Sequence, residues 1–197
     1  MNLPEALYSA TQVRELDRMA IAEHGIPGLE LMRRAGTVAF LLLRLHFPRA
    51  RRIAVVCGPG NNGGDGFVLA RLAHEAGMRT QVMSVGEASS AKGDAAAARK
   101  SCKAAGVAIR KFDTSLLTES DLVVDALLGT GLECEVEGEW RVAIEAINRS
   151  RLPVLALDLP SGLQADTGQV MGVVVHAQAT ISFIGLKAGL FTGAGRE

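Results

Sequence analysis

The strongest constraint on the fold is a short apolar run that empties into glycine. Residues 53–57 (Ile-Ala-Val-Val-Cys) lead directly into Gly58-Pro59-Gly60-Asn61-Asn62-Gly63-Gly64-Asp65-Gly66, and a helical apolar pattern through Phe67, Leu69, Ala70, Leu72 and Ala73 follows at once. A strand, a glycine-rich turn and a helix N-terminus in immediate succession form the opening βα unit of a doubly wound sheet. Backbone N–H groups and the positive helix end are there presented to a ligand. Glycine lets the backbone approach that ligand closely. The two asparagines and the aspartate add amide and carboxylate groups that a bare phosphate cradle does not need.

Neither of the two common nucleotide loops is present in full. A P-loop carries Lys-Ser/Thr after its last glycine, whereas Phe67-Val68 follow Gly66. The G-x-G-x-x-G pattern occurs as Gly58 to Gly63, but the acidic residue expected at the end of the next strand is missing, because that strand ends in Ser84-Val85-Gly86. An ordinary NAD-dependent dehydrogenase is therefore disfavoured.

The rest of the chain repeats the strand–helix alternation. Strands are expected at 53–57, 80–85, 107–111, 122–127, 154–158 and 179–184, and helices at 67–76, 94–105 and 138–148. Strands this rich in Val, Ile and Leu are buried on both faces, as in a parallel sheet. The predicted architecture is a Rossmann-like three-layer α-β-α sandwich with a mostly parallel sheet, a single domain over residues 1–197. Two further helices precede the first strand. One is announced by a capping box, Ser9-Ala10-Thr11-Gln12, and the other runs from Leu29 to about Leu45. This N-terminal extension is a cover for one sheet face or a dimer surface. The glycine-rich end, residues 190–197, shows no structural signature and reads as a flexible tail or the point where a longer polypeptide continues.

Charge and cysteine usage narrow the function classes. Lys+Arg and Asp+Glu balance at 21 each, which gives no basic surface for nucleic acid or an anionic membrane. The longest apolar run, 38–43, is far short of the ~18 residues that span a bilayer, and the first dozen residues lack a signal-peptide pattern. Three cysteines (Cys57, Cys102, Cys134) without a C-x-x-C spacing fit a reducing compartment, so a cytoplasmic location is expected.

Ligands of doubly wound sheets gather at the carboxyl ends of the strands. Three such ends are polar here: Asn61, Asn62 and Asp65 after the first strand, Asp125-Ala126-Leu127-Leu128-Gly129-Thr130-Gly131, and Asp158-Leu159-Pro160-Ser161-Gly162. An aspartate at the end of an apolar strand is costly to bury uncompensated. A single one is accounted for as a loop cap, but two beside an Asn-Asn-Gly-Gly-Asp segment point to a shared polar centre. His24, His46, His74 and His176 are scattered outside these motifs, and Ser161 is not in a G-x-S-x-G elbow, which argues against a hydrolase. Lys187, close after the last strand, is expected to face solvent, and Trp140 to pack on its helix.

Taken in order, these three motifs resemble the NAD(P)H-hydrate epimerase family, also called the YjeF N-terminal domain. The segments Leu31-Met32-Arg33-Arg34-Ala35-Gly36 and Leu186-Lys187-Ala188-Gly189-Leu190-Phe191-Thr192-Gly193 are similar to that family too. The resemblance implies an enzyme that interconverts the R and S forms of NADH or NADPH hydrated at nicotinamide C6, in repair of damaged cofactors. Asn61, Asn62, Gly63, Gly64 and Asp65, with Gly129, Thr130, Gly131, Leu132, Glu133, Cys134 and Glu135, would bind the hydrated dinucleotide. The carboxylates of Glu133 and Glu135 are expected to point away from its pyrophosphate. Asn62, Asp125 and Ser161 would hold one potassium ion per subunit, oxygen donors that suit a hard cation. Asp158 would contact the reacting end and serve as general base. The N-terminal helical pair invites a homodimer, and the resemblance implies a functional partnership with an NAD(P)H-hydrate dehydratase, fused in many bacterial members. The rival is a non-catalytic nucleotide-binding or scaffold module of the same fold, which has no need of Asn62, Asp125, Asp158 and Ser161 together.

Overall fold

A computed structural model of the chain describes residues 6–87 and 91–196. Its order is α1 (Ala10–Ala22), α2 (Gly28–His46), β1 (Arg52–Cys57), α3 (Asn61–Glu75), β2 (Arg79–Ser84), α4 (Gly93–Ala104), β3 (Ala108–Lys111), β4 (Leu122–Ala126), α5 (Gly138–Ser150), β5 (Val154–Leu157) and β6 (Ala179–Ile181). The six strands form one sheet in the order β3-β2-β1-β4-β5-β6, and every pairing is parallel. That is the order of dinucleotide-binding doubly wound sheets, with the reversal of direction between β1 and β4, where a crevice opens for ligands.

Alternation along β1 shows how the strands serve two layers. Ile53, Val55 and Cys57 join a core with Met32 and Leu43 of α2, Phe67 and Leu69 of α3, and Ala98 and Cys102 of α4. Ala54 and Val56 face the other way, into a core with Ala143, Ile144 and Ile147 of α5. Burial of both faces explains why the strands read as unbroken apolar runs. The N-terminal pair is present as expected. The Ser9 hydroxyl accepts from the Gln12 N–H at 3.2 Å and the Ser9 N–H reaches Gln12 Oε1 at 2.8 Å, while α2 lies across α3 and α4.

Several expected boundaries are corrected. The helix expected from Phe67 begins at Asn61, so the Asn-Asn-Gly-Gly-Asp segment is the first turn and a half of α3, not a loop. Glycine disfavours a helix by about 1 kcal/mol per residue, yet here space demands it. A Cβ on Gly63 would sit 1.9 Å from the Gly58 carbonyl oxygen, and one on Gly66 would sit 2.6 Å from the Ala126 Cβ. The last strand stops at Ile181 rather than 184, where its partner β5 also ends at Leu157, and by Ile184 the backbone has reached a positive φ of 66°. The expected flexible tail is instead packed. Residues 188–191 and 193–196 form two 3₁₀ turns, the first tied by the Gly189 N–H to Ala165 O (2.7 Å) and the second by the Ala194 N–H to Gly168 O (3.0 Å). A further 3₁₀ turn, Thr114–Glu119, follows β3.

Candidate functional site

Three strand ends and the start of α3 meet at the crevice between β1 and β4. β1 turns at Gly58, which packs so tightly under the next strand end that a Cβ would lie 2.1 Å from the Leu127 carbonyl oxygen. This approach brings Asn62, one turn later, against the β4 end. Its amide Nδ2 donates to Leu128 O at 2.9 Å, while Asn62 Oδ1 is buried without a hydrogen-bond partner among the described residues. A buried amide oxygen left unpaired costs free energy comparable to a lost hydrogen bond.

Beside it Asp125, the fourth residue of β4, is fully buried. Its carboxylate accepts from the Ser161 N–H (2.8 Å), the Ser161 hydroxyl (2.6 Å) and the Leu127 N–H (3.2 Å), and none of these donors is cationic. Burial raises its pKa to about 6, against the opposing pull of those hydrogen bonds. Ser161 also accepts from the Leu128 N–H at 2.9 Å, and the Leu128 carbonyl lies 3.2 Å from its hydroxyl. Asn62, Asp125 and Ser161, far apart in sequence, are thus linked through Leu128 and Ser161 into one hydrogen-bonded cluster. Their oxygen donors are one carboxylate and otherwise neutral groups, a set suited to a hard monovalent cation, and the unpaired Asn62 oxygen is free to join such a set.

Asp158 follows β5 directly, in the left-handed region at φ 67°. For a non-glycine residue that conformation costs of order 1–3 kcal/mol and persists where surrounding contacts hold it. Here the Asp158 N–H donates to Ile181 O at 2.7 Å, Oδ2 accepts from the Thr130 N–H at 3.2 Å, and Oδ1 accepts from Lys187 Nζ. Lys187 is therefore not solvent-facing, as its sequence context suggested. It is completely buried, and its ammonium also reaches Ser182 Oγ (3.1 Å) and Phe183 O (2.8 Å). The N-terminal segment seals it in. Tyr8 pairs beside Lys187 through Tyr8 N–H to Leu186 O (2.8 Å) and Ala188 N–H to Tyr8 O (3.1 Å), and its ring lies where a Cβ on Gly185 would be, 2.4 Å from Cδ2.

Two more carboxylates share this electrostatic neighbourhood. Burial, reinforced by the charges of Asp158 and Asp17, pushes Asp65 well above the usual carboxylate range. Asp17, on α1, is raised by burial and then by Asp158. Asp65 was singled out from the sequence, whereas Asp17 and Lys187 were missed. Nothing in the amphipathic pattern of α1 marks Asp17, and the single signal for Lys187 is its position inside an otherwise apolar segment.

The expected dinucleotide-binding residues divide. Asn62, Gly63 and Gly64 are buried in the first turn of α3, Asp65 is half-buried, and Asn61 is exposed. In the segment after β4, Gly129 and Thr130 lie against Asp158 and Asn62, with Leu132 half-buried, while Gly131, Glu133, Cys134 and Glu135 are exposed. The Glu133 carboxylate stands in solvent 4.0 Å from Arg14 of α1. Trp140 packs with the α5-side core. A shallow apolar depression of about 490 Å³, lined by Phe47, Pro48, Asp121 and Pro153, lies at the opposite end of the sheet. The convergent polar groups, not that depression, mark the site. No helix among the described residues is long and apolar enough to cross a membrane.

Comparison with known proteins points the same way. Residues 28–189 match the family described as YjeF-related protein N-terminus. The chain is 38% identical over 194 residues to an NAD(P)H-hydrate epimerase of Limosilactobacillus fermentum, an alignment covering 98% of this chain and 93% of that protein. It is 48% identical over 186 residues to the bifunctional NAD(P)H-hydrate repair enzyme Nnr of Coxiella burnetii, covering 94% of this chain but 38% of that longer protein. The yeast protein YNL200c, a solved structure, superposes with a TM-score of 0.86 at 20% identity over 96% of this chain and 85% of its own, a likeness of fold.

Proposed function

The chain belongs to the family of YjeF-related N-terminal domains, and we propose that it is an NAD(P)H-hydrate epimerase, an isomerase acting in repair of hydrated NADH and NADPH. The observation that carries this reading is that Asn62 and Ser161 both bond Leu128 while Ser161 bonds the buried Asp125 carboxylate, with Asp158 in the same crevice. A scaffold that only binds has no use for a buried, uncompensated carboxylate and an orphaned amide oxygen beside it.

Asn61, Asn62, Gly63, Gly64 and Asp65 on one side, and the segment from Gly129 to Glu135 on the other, would hold the hydrated dinucleotide, with its nicotinamide end at Asp158. The α3 N-terminus presents N–H groups and partial positive charge, which favours an anionic pyrophosphate. Glu133, turned into solvent, leaves that approach free of its charge. Asn62 Oδ1, Asp125 and Ser161 Oγ would hold a potassium ion, which when bound supplies a fixed positive charge beside the substrate and offsets the Asp125 carboxylate.

At C6 of the hydrate, a hydroxyl and the ring nitrogen share one carbon. Asp158 removes the hydroxyl proton. The C6–N1 bond breaks as the C6 carbonyl forms, and the electron pair withdraws onto N1 and through C2=C3 onto the carboxamide. Rotation presents the other aldehyde face to N1, the ring recloses, and Asp158 returns the proton to oxygen. No net bond or electron is gained, as an epimerisation requires. The Asp158 carboxylate suits this role because the Thr130 N–H holds one oxygen while an edge stays open to the crevice.

We read residues 1–197 as one catalytic domain, working as a homodimer. The chain spans 38% of the bifunctional relatives' length, and its functional partner is an ATP- or ADP-dependent dehydratase that consumes the S epimer. The test is conversion of purified (R)-NADHX to the S form, separated chromatographically, with and without potassium. Conversion well above the spontaneous rate supports the enzyme, and none from folded protein leaves the binding-module alternative.

A further inference from the structure

Lys187 is the one fully buried cation in the described structure, and nothing in the chemistry above assigns it a task. A buried ammonium is expensive unless each N–H finds a partner and its charge is matched. Both conditions are met here, with three acceptors, Asp158 Oδ1, Ser182 Oγ and Phe183 O, for three N–H groups. An amine so occupied is a cation, not a base or nucleophile. Its charge also reaches two further acids, pulling Asp17 of α1 and Asp65 of α3 down against the upward push of burial and of Asp158. Without the ammonium, three carboxylates would share one partly dry crevice.

The geometry of the Asp158 main chain adds a second constraint. At φ 67° the residue sits in a conformation that must be held from outside. Lys187 grips one carboxylate oxygen and the Thr130 N–H grips the other, which fixes the carboxyl plane relative to the β4 end. The ammonium is in turn held by the turn after β6, where the Ser182 hydroxyl and the Phe183 carbonyl face it and Ile184 is also left-handed. The segment from Ser182 to Lys187, closed from outside by Tyr8, is thus a bracket for a side chain at the end of β5.

We propose that Lys187 is a positioning residue of the epimerase: its buried ammonium holds the Asp158 carboxylate in the orientation that takes the substrate proton. The inference rests on the functional reading above. It predicts that the turn after β6, outside the residues assigned to substrate or cation, sets the turnover rate through Asp158.

The experiment compares K187M, which keeps the unbranched stem and loses the charge, with the wild-type chain in two readouts. In steady-state epimerisation of NADHX, kcat is expected to fall about 100-fold, the scale of a displaced general base, while KM stays within about threefold, because substrate binding residues are untouched. In a crystal structure of K187M, the Asp158 carboxylate is expected to leave the Thr130 N–H or change rotamer. An unchanged kcat, or a change confined to KM, overturns the proposal, as does a K187M structure with Asp158 in its original place. If K187M does not fold, S182A takes its place, with an expected fall in kcat of about threefold to tenfold, and no fall overturns the proposal. A wild-type chain no faster than the spontaneous reaction defeats the functional reading instead, and the Asp158 position in K187M then decides the structural claim by itself.

Discussion

The ends of β4 and β5 carry the same residue in the same kind of place, and the molecule treats them in opposite ways. Asp125, the last residue but one of β4, lies in the middle of the sheet and is sealed from water, held by a hydroxyl and two backbone N–H groups. Asp158 terminates the neighbouring strand one position nearer the edge, keeps part of its carboxylate open to the crevice, and is matched by Lys187. The first aspartate is met by neutral donors. The second is paired with a lysine, and is strained and aimed. Burial depth alone does not separate their roles; the identity of the charge partner does.

The largest expected effect tests the Asp158 side. In D158N the crevice keeps its shape but loses its proton acceptor, so kcat for NADHX epimerisation should drop by at least about 100-fold, with KM within about threefold. A near-normal kcat would reduce Asp158 to a binding group and remove the contrast.

Next, D125N should leave the Lys187–Asp158 pair in place while abolishing the response to potassium. Activity in saturating potassium should fall to the potassium-free wild-type level, about tenfold lower on the scale of one electrostatic contact. If D125N still responds to potassium, the cation is held elsewhere.

S161A probes the same knot through stability. It takes the shortest hydrogen bond from the buried Asp125 carboxylate and strands the Leu128 N–H, which should cost about 1–3 kcal/mol in urea unfolding at neutral pH. A loss below about 0.5 kcal/mol would mean that the hydroxyl is not a structural partner of Asp125.

The smallest effect is a pH dependence. Asp125 titrates at about 6 in the folded chain, above the 3.8 of an ordinary aspartate. Its contribution to stability is therefore complete below about pH 3.8 and is lost as pH rises through 6, where the buried group must ionise. A cation at Asn62, Asp125 and Ser161 offsets that ionised charge, so potassium should raise the melting temperature by a few degrees at pH 7.5 and by less at pH 5. An equal shift at both pH values, or the same shift in D125N, would detach the cation from this carboxylate.

The comparison also shows where sequence reasoning reached and where it stopped. Asp125 and Asp158 were both visible because an aspartate closing an apolar run is anomalous on its face. Asn62 was visible for the company it keeps. Lys187 was not, because a lysine after a short strand is an ordinary surface residue until a distant segment covers it. Tyr8, some 180 positions earlier, supplies that cover through two backbone hydrogen bonds. Asp17 was hidden for a related reason, since one acidic residue on an amphipathic helix says nothing about what the helix lies against. The start of α3 was misplaced because glycine propensity argues for a loop, and only the 1.9 Å clash awaiting a Gly63 Cβ shows that packing outweighs propensity there.

By itself the sequence determined the fold class, the alternation of strands and helices, the capping of α1 and the set of polar strand ends, since each is written in local periodicity or in a residue at odds with its neighbours. The tertiary structure alone decided which of those polar groups touch, that Asp158 is the aspartate paired with a lysine, and that the segment from Ser182 to Lys187 is a packed bracket. These depend on contacts between segments remote in sequence, and a lone carboxylate's role is set by the charge and dielectric that such contacts bring to it.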